Sequence, residues 1–416
     1  MSLSHPHILA LKRTTMRKNI FLIIVLALLS LPMSAQRHYT VVVSLDGFRW
    51  DYPIWYDTPF FDQMANEGVD ANLIPSFPSK TGPNHYTLAT GLYPDHHGII
   101  ANTFLDPKSG RRYALSDPLT SKDPYFYGGD PIWNTAERQG MRTAIYYWTG
   151  SDVEVGGKHP WHYHDYDEKP HMSFEERIDG IIGMLSLPEA ERPSLIMAYF
   201  EQPDANGHSH GPQNKHTRDA VEKIDKQMRK LYEGIMALPV GKDVNFIVLS
   251  DHGMTPLAPD RIVDLTHVIQ PEWIRSAEGN NPLNLYVKKE FRSTVFEALK
   301  SVDHIKYWYR EDIPAYLHFG TNPRIGDIVV MPDLGWIVDT KLEEWGSHGF
   351  DPQFSDMHAL FRAVGPDFEH ISMGDIKNVS IYNLICLLLD IEPSPNDGNI
   401  REIVNMLKPS IQERVR

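Results

Sequence analysis

The chain has 416 residues, 42% of them hydrophobic and 23% charged, an ordinary globular composition that sets aside disordered and fibrous classes. That length suits one large α/β domain or two smaller ones. The formal net charge is −14; a surface that acidic repels a polyanion and argues against a basic groove for DNA or RNA, but leaves room for a small phosphate ester held by metal ions.

Residues 1–35 contain four bases, Lys12, Arg13, Arg17 and Lys18, and no acid. The apolar run 20–31 follows, then Pro32-Met33-Ser34-Ala35, which is the order of a secretory signal peptide, and the run is short for a membrane span. The expected start is Met16 and the expected cleavage lies near Ala35. What remains, 36–416, is expected to be a single catalytic domain, secreted or periplasmic, with no stable membrane span. An uncleaved anchor is the alternative.

His38-Tyr39-Thr40-Val41-Val42-Val43-Ser44-Leu45 is a continuous β-rich run that stops at Asp46-Gly47, a pattern suited to the middle of a parallel sheet covered on both faces. Similar runs recur at 143–147, 195–200, 245–249, 328–331 and 359–364, with helical patterns at 60–67, 174–185, 215–236 and 380–389 between several of them. The alternation predicts an α/β fold with a mainly parallel central sheet and helices on both faces. Two stretches, 103–130 and 149–172, are rich in Pro, Gly, Tyr, Trp and His and lack periodicity; they are expected either to wall a substrate pocket or to cover the sheet edge. Cys386, the single cysteine, lies in the apolar stretch 381–391 and reads as core filler.

Open α/β sheets bind ligands beyond the carboxyl ends of their strands. Three of the predicted strands end within a few residues of a candidate metal ligand: Leu45 before Asp46, Phe200 before Asp204, Leu249 before Asp251-His252. His208 stands four residues after Asp204, and His348 sits in Gly346-Ser347-His348-Gly349. These three Asp and three His give six ligands, three for each of two metals, and nitrogen with carboxylate suits zinc while tolerating manganese or iron. The nucleophile should be a hydroxyl nearby. Pro78-Ser79-Lys80-Thr81-Gly82-Pro83-Asn84-His85 offers Thr81, placed by Pro83 at a helix amino terminus, where partial positive charge favours an alkoxide. Thr81 is otherwise a plain helix cap, unless Ser79 takes that place.

In these segments the sequence resembles the nucleotide pyrophosphatase/phosphodiesterases of the alkaline phosphatase superfamily. The likeness is carried by Val43-Ser44-Leu45-Asp46-Gly47-Phe48-Arg49, residues 77–93, His97-Gly98-Ile99-Ile100-Ala101-Asn102, residues 199–211 and 250–254, and Ser347-His348-Gly349, all in the family's order. The resemblance implies two zinc ions per chain, one held by Asp46, Thr81, Asp251 and His252 and the other by Asp204, His208 and His348. It implies that Thr81 attacks, forming a phosphothreonine intermediate, and that Asn102 donates to a phosphoryl oxygen. Three Asp and a Thr81 alkoxide balance two zinc ions, which suits a singly charged phosphodiester; Lys80 either reaches a phosphate or points into solvent.

The implied substrate is a small nucleotide, cleaved at a phosphodiester or pyrophosphate bond to a nucleoside 5′-monophosphate. One position departs from the family: Gly82 stands where many members carry an aromatic that stacks on the base. Tyr166 resembles the other stacking tyrosine and is otherwise an ordinary loop residue. A phosphodiesterase for lipid or choline-type head groups is the alternative enzyme.

Overall fold

In the computed structural model residues 38–415 are described, so the expected signal peptide, with its start at Met16 and its cleavage near Ala35, lies outside the described residues. The β-rich run after His38 forms β1 (Tyr39–Leu45), every residue of which is buried. Its side chains alternate between two cores: Val42 faces one, and Val41, Val43 and Leu45 face the other. A strand wet on neither side must be covered by helices on both, and the chain supplies them.

The remaining strands of the central sheet are β2 (Val69–Ile74), β3 (Thr143–Tyr146), β4 (His162–His164), β5 (Leu195–Phe200), β6 (Val244–Leu249), β7 (Ala359–Val364) and β8 (Ile371–Lys377). They lie in the order β8-β2-β7-β6-β1-β5-β3-β4. β1 pairs in parallel with both β5 and β6, and β5 with β3. β7 runs antiparallel to β6 and β2. The sheet is therefore mostly parallel, with one reversed strand.

The helices α1 (Pro59–Glu67), α2 (Thr81–Thr90), α3 (Phe174–Leu185), α4 (Asp204–His210), α5 (Lys215–Met236) and α6 (Ile381–Leu389) follow. Side chains of α2 and α6, Leu88, Ala89 and Leu384 among them, pack on one face; Phe60, Ile178 and Val221 of α1, α3 and α5 pack on the other. α3 opens with a full capping box, the Ser173 hydroxyl accepting from the Glu176 N–H while the Glu176 carboxylate accepts from the Ser173 N–H. Cys386 is buried in the α6 core, as its surroundings in sequence imply.

Two sequence expectations need correction. The run beginning at Ile328 forms a strand (Ile328–Pro332), but outside the central sheet. It belongs to a separate four-stranded antiparallel sheet with Ile274–Glu278, Leu283–Val287 and Ile305–Tyr309. β2, β4 and β8 were not predicted, and β8 is mostly wet. β2 is half-wet, its burial alternating residue by residue, and β4 has three residues, so neither shows the continuous apolar run of the buried strands.

β1, β5 and β6 are neighbours running in one direction, so their carboxyl ends open onto one place. That is the structural reason why Asp46, Asp204 and Asp251 meet. Ile247, in the middle of β6, has no exposed surface, stands beside its register partner Val42 and belongs to the same core as the helices of that face. Ile247→Ala is expected to lower unfolding free energy by about 2–5 kcal/mol, a large share of an ordinary domain's stability, in a denaturant titration of the purified protein.

Candidate active site

At the end of β1, Asp46 leads into Gly47, whose φ is +65°, and a Cβ there would lie 2.9 Å from Asp204. Glycine thus permits the close approach, which the Asp204 N–H donating to the Asp46 carbonyl at 3.0 Å completes. Asp46 and Asp251 are each anchored through one oxygen. Tyr199 O–H donates to Asp46 Oδ2 at 2.6 Å, and the Gly47 N–H donates to Asp251 Oδ1 at 3.2 Å. The other oxygens, Asp46 Oδ1 and Asp251 Oδ2, and with them Asp204 Oδ1, are buried and have no hydrogen-bond donor among the described residues.

The imidazoles show the complementary pattern. Nδ1 of His252 faces the Gly253 carbonyl at 2.8 Å, that of His348 the Ser79 carbonyl at 2.7 Å, and that of His208 the Gly346 carbonyl at 2.9 Å. A carbonyl only accepts, so each Nδ1 carries a proton, and in the neutral ring Nε2 holds the lone pair. Those lone pairs converge. His208 Nε2 and His348 Nε2 are 3.1 Å apart and lie 3.4 and 3.7 Å from Asp204 Oδ1. His252 Nε2 lies 3.1 Å from Asp251 Oδ2 and 3.4 Å from Asp46 Oδ1.

Acceptor facing acceptor at these distances is repulsive unless a cation lies between, and undonated carboxylate oxygens in a dry site require the same. The structure groups Asp46, Asp251 and His252, and also Asp204, His252 and His348, as sets able to hold an ion. His208 belongs with the second set by its distances. The donor set of imidazole and carboxylate fits zinc and other first-row transition ions.

Burial and the neighbouring Asp251 and Asp204 charges raise the Asp46 pKa well above the usual carboxylate range, and burial raises Asp204 also. For Asp251 burial pushes in the same direction, but the interactions with the flanking His252 and His85 outweigh it and hold the carboxyl well below that range. His348 is pushed far down by burial and by the charges of His252, Lys80 and His208, which keeps its Nε2 free of a proton.

Thr81 opens α2 and makes no capping bond; its Oγ1 stands 3.2 Å from His252 Nε2. Ser79 does not cap either, because its hydroxyl donates to the Phe350 carbonyl at 2.7 Å. Lys80 is the N-cap residue by backbone position. It does not run into solvent: its side chain folds beside Gly349, facing the charges of Glu344 and Asp204, and desolvation lowers its pKa to about 8. Asn102 accepts from the Gly82 N–H at 2.9 Å through Oδ1. That bond fixes which way the amide faces and leaves Nδ2 as the donor beside Thr81.

From Thr81 and Asn102 a cavity of about 380 Å³ extends between the two stretches that lacked periodicity, lined by Leu115, Ser121 and Tyr127 from the first and by Thr149, Asp152 and Tyr166 from the second, with Trp148 and Tyr199 behind. Tyr166 stands edge-on to Tyr147 with ring centres 5.8 Å apart. The space beside Gly82 belongs to Leu115, 3.4 Å from where a Gly82 Cβ would be. At the far end Asp152, Asp165 and Asp167 surround Lys122, whose ammonium lies 2.6 Å from Asp165, 2.9 Å from Asp167 and 4.0 Å from Asp152. That acidic group already holds a cation. Burial raises the Asp152 pKa to about 6, Asp165 adding to the effect and Lys122 opposing it.

All ten residues singled out from sequence (Asp46, Lys80, Thr81, Asn102, Tyr166, Asp204, His208, Asp251, His252 and His348) thus fall in the cluster or along the slot. Sequence reasoning missed four that hold them: Tyr199 on Asp46; Glu344, 2.8 Å from His208 Nδ1; His85, which contacts the Thr81 carbonyl at 3.0 Å; and Leu115. For His85 the signal was present in the same motif as Thr81.

Comparison with known proteins places the chain in a family. The family model described as type I phosphodiesterase/nucleotide pyrophosphatase matches residues 40–351. A venom phosphodiesterase of Crotalus durissus collilineatus is 34% identical over 91% of this chain and 47% of its own length. A pyrophosphatase/phosphodiesterase of Schizosaccharomyces pombe is 34% identical over 86% of this chain and 78% of its own. The chain spans about half the length of the venom relatives. Murine ectonucleotide pyrophosphatase/phosphodiesterase 5, solved as an inactive threonine-to-alanine variant with AMP, superposes with a TM-score of 0.84 at 30% identity, covering 89% of this chain and all of that one. The matched span, the fold and the sequence identity together show that this chain belongs to the type I phosphodiesterase/nucleotide pyrophosphatase family of enzymes.

Proposed function

We propose that residues 36–416 act as one catalytic domain that hydrolyses phosphodiester or pyrophosphate bonds of small nucleotides, with Thr81 as nucleophile. The observation that carries the reading is the place of Thr81 Oγ1. It is uncapped, at a helix amino terminus, 3.2 Å from a ligand imidazole and at the mouth of an aromatic-lined slot. Inactivity of the murine relative's threonine variant, and its bound AMP, support the same assignment.

Two zinc ions, one held by Asp46, Thr81, Asp251 and His252 and one by Asp204, His208 and His348, would lower the pKa of the Thr81 hydroxyl and offset the charge of the phosphoryl group. Thr81 Oγ1 forms the new bond to phosphorus while the bond to the leaving group breaks, its electron pair departing with that group. Water then cleaves the phosphothreonine, releasing the nucleoside 5′-monophosphate and restoring the hydroxyl. Asn102 Nδ2 donates to the phosphoryl oxygen as its charge grows. Lys80, enclosed beside Asp204, is placed to face a second phosphate. Tyr166 offers one face to the base and Leu115 the other. A choline-type head group finds less here, because the slot's acids are engaged by Lys122.

The zinc-loaded protein is expected to prefer p-nitrophenyl thymidine monophosphate over p-nitrophenyl phosphorylcholine and p-nitrophenyl phosphate, to lose activity to a chelator, and to regain it with zinc. Thr81→Ala should cut kcat by about a thousandfold or more. Preference for the choline ester would overturn the substrate, and activity surviving in Thr81→Ala would overturn the mechanism.

The basic, apolar and small-residue order of the first 35 residues supports export to the periplasm or the exterior. Among the described residues no helix is long and apolar enough to cross a membrane. Amino-terminal sequencing of the exported protein should begin just after Ala35, and a retained leader would refute cleavage.

Asp152 gives a pH-dependent outcome. Its folded pKa of about 6 exceeds the ordinary 3.8, so the cost of an ionised buried carboxyl is full above about pH 6 and fades as pH falls towards 4. Asp152→Asn is therefore expected to be more stable than the parent at pH 7.5, by about 1–3 kcal/mol, and equal to it near pH 4 in thermal melts.

A further inference from the structure

His162 and His164 stand two apart on β4, the last strand at one edge of the sheet, so their side chains share a face. The register with β3, Ala144 opposite His162 and Tyr146 opposite His164, puts Tyr146 against the pair, its ring centre 4.7 Å from His164 and 6.0 Å from His162. The two Nε2 atoms are 3.2 Å apart, with the rings at 81° to one another. Both rings are part-buried.

The geometry points to a further, separate binding site at this pair for one divalent transition-metal ion. Metal–imidazole bonds of about 2.0–2.1 Å whose nitrogens lie 3.2 Å apart meet at the ion at about 100°, an angle open to tetrahedral and square arrangements alike. Part-burial lowers the pKa of both rings, so at neutral pH they stand uncharged with lone pairs to give. Arg177 also acts on His164 as a cation, and the Glu201 carboxylate, 2.7 Å from the guanidinium, offsets it.

A net charge of −14 favours cation approach, and the strand's free edge leaves room for water as the remaining ligands. By the usual order of affinity Cu²⁺ binds most tightly here, ahead of Ni²⁺ and Zn²⁺. The site shares no residue with the cluster at the strand ends and does not rest on the proposed hydrolysis. Its relation to the slot is that His164 also lines that cavity.

The same spacing suits a single N–H···N hydrogen bond, and metal binding separates the two. The full protein, first saturated with zinc, is titrated with Cu²⁺ and followed by electron paramagnetic resonance. Quenching of Trp161, exposed and with its ring 6.3 Å from His162, reports the affinity. The parent and His267→Gln, which alters a solvent-facing histidine, should take up one Cu²⁺ with a two-nitrogen hyperfine pattern. His162→Gln and His164→Asn, shown folded by circular dichroism, should each bind at least tenfold more weakly and lose that pattern. A two-nitrogen signal persisting in both variants, or none in the parent, would overturn the site.

Discussion

Asp46 and Asp251 bring carboxylate oxygens within 4.8 Å of one another in a place that water does not reach. At an effective dielectric of about 20 that repulsion is roughly 3–4 kcal/mol for the pair, before Asp204 is added. Among the described residues no arginine or lysine forms an ion pair with them; Lys80 is enclosed nearby, and desolvation lowers its pKa to about 8. The lone pairs of three imidazoles turn inward on the same spot. Acceptors gathered in this way form a candidate cation site. The rest of the fold can be read as the apparatus that holds the acceptors in place.

That apparatus is the parallel trio of β5, β1 and β6. Their registers tie Ser44 to Tyr199 and to Leu249, so the chain leaves all three strands at nearly the same height. His348 arrives from far along the sequence, on a two-residue ladder that pairs Ser347 with Thr255, three residues beyond His252. Tyr199, whose hydroxyl reaches Asp46, belongs to the trio itself. The acceptors therefore inherit the rigidity of the sheet, and Thr81, fixed through its carbonyl to His85, is presented to them by α2.

Sequence made the candidate ligands legible because each sits at the end of an apolar strand or beside a glycine, and both signals are local. It made the longer helices legible for the same reason, through the 3.6-residue period of 215–236 above all. The supporting contacts were not legible. Tyr199 and Asp46 are 153 residues apart, and Glu344 and His208 are 136 apart, with nothing near Glu344 to mark it. The run at 328 looked like its counterparts because burial, not sheet membership, shapes a strand's composition. Whether an apolar strand joins one sheet or another is decided by partners far away.

The two halves of the site differ in how freely they can change. The acceptors hang on buried central strands, where a slip of one residue would turn every side chain to the wrong face. The slot hangs on two long connections, 103–130 and 149–172, whose side chains pack on one another and on residues such as Phe77, Tyr86 and Tyr147. Gly82 shows the consequence. With no side chain there, the N–H remains close enough to hold Asn102, and Leu115 from the neighbouring connection takes up the space. Any larger residue at 82 would meet Asn102 at 3.0 Å before it met a substrate. The glycine and the leucine are thus one arrangement: the slot's wall is rebuilt from a second segment, while the amide beside Thr81 and the ligands behind it keep their places.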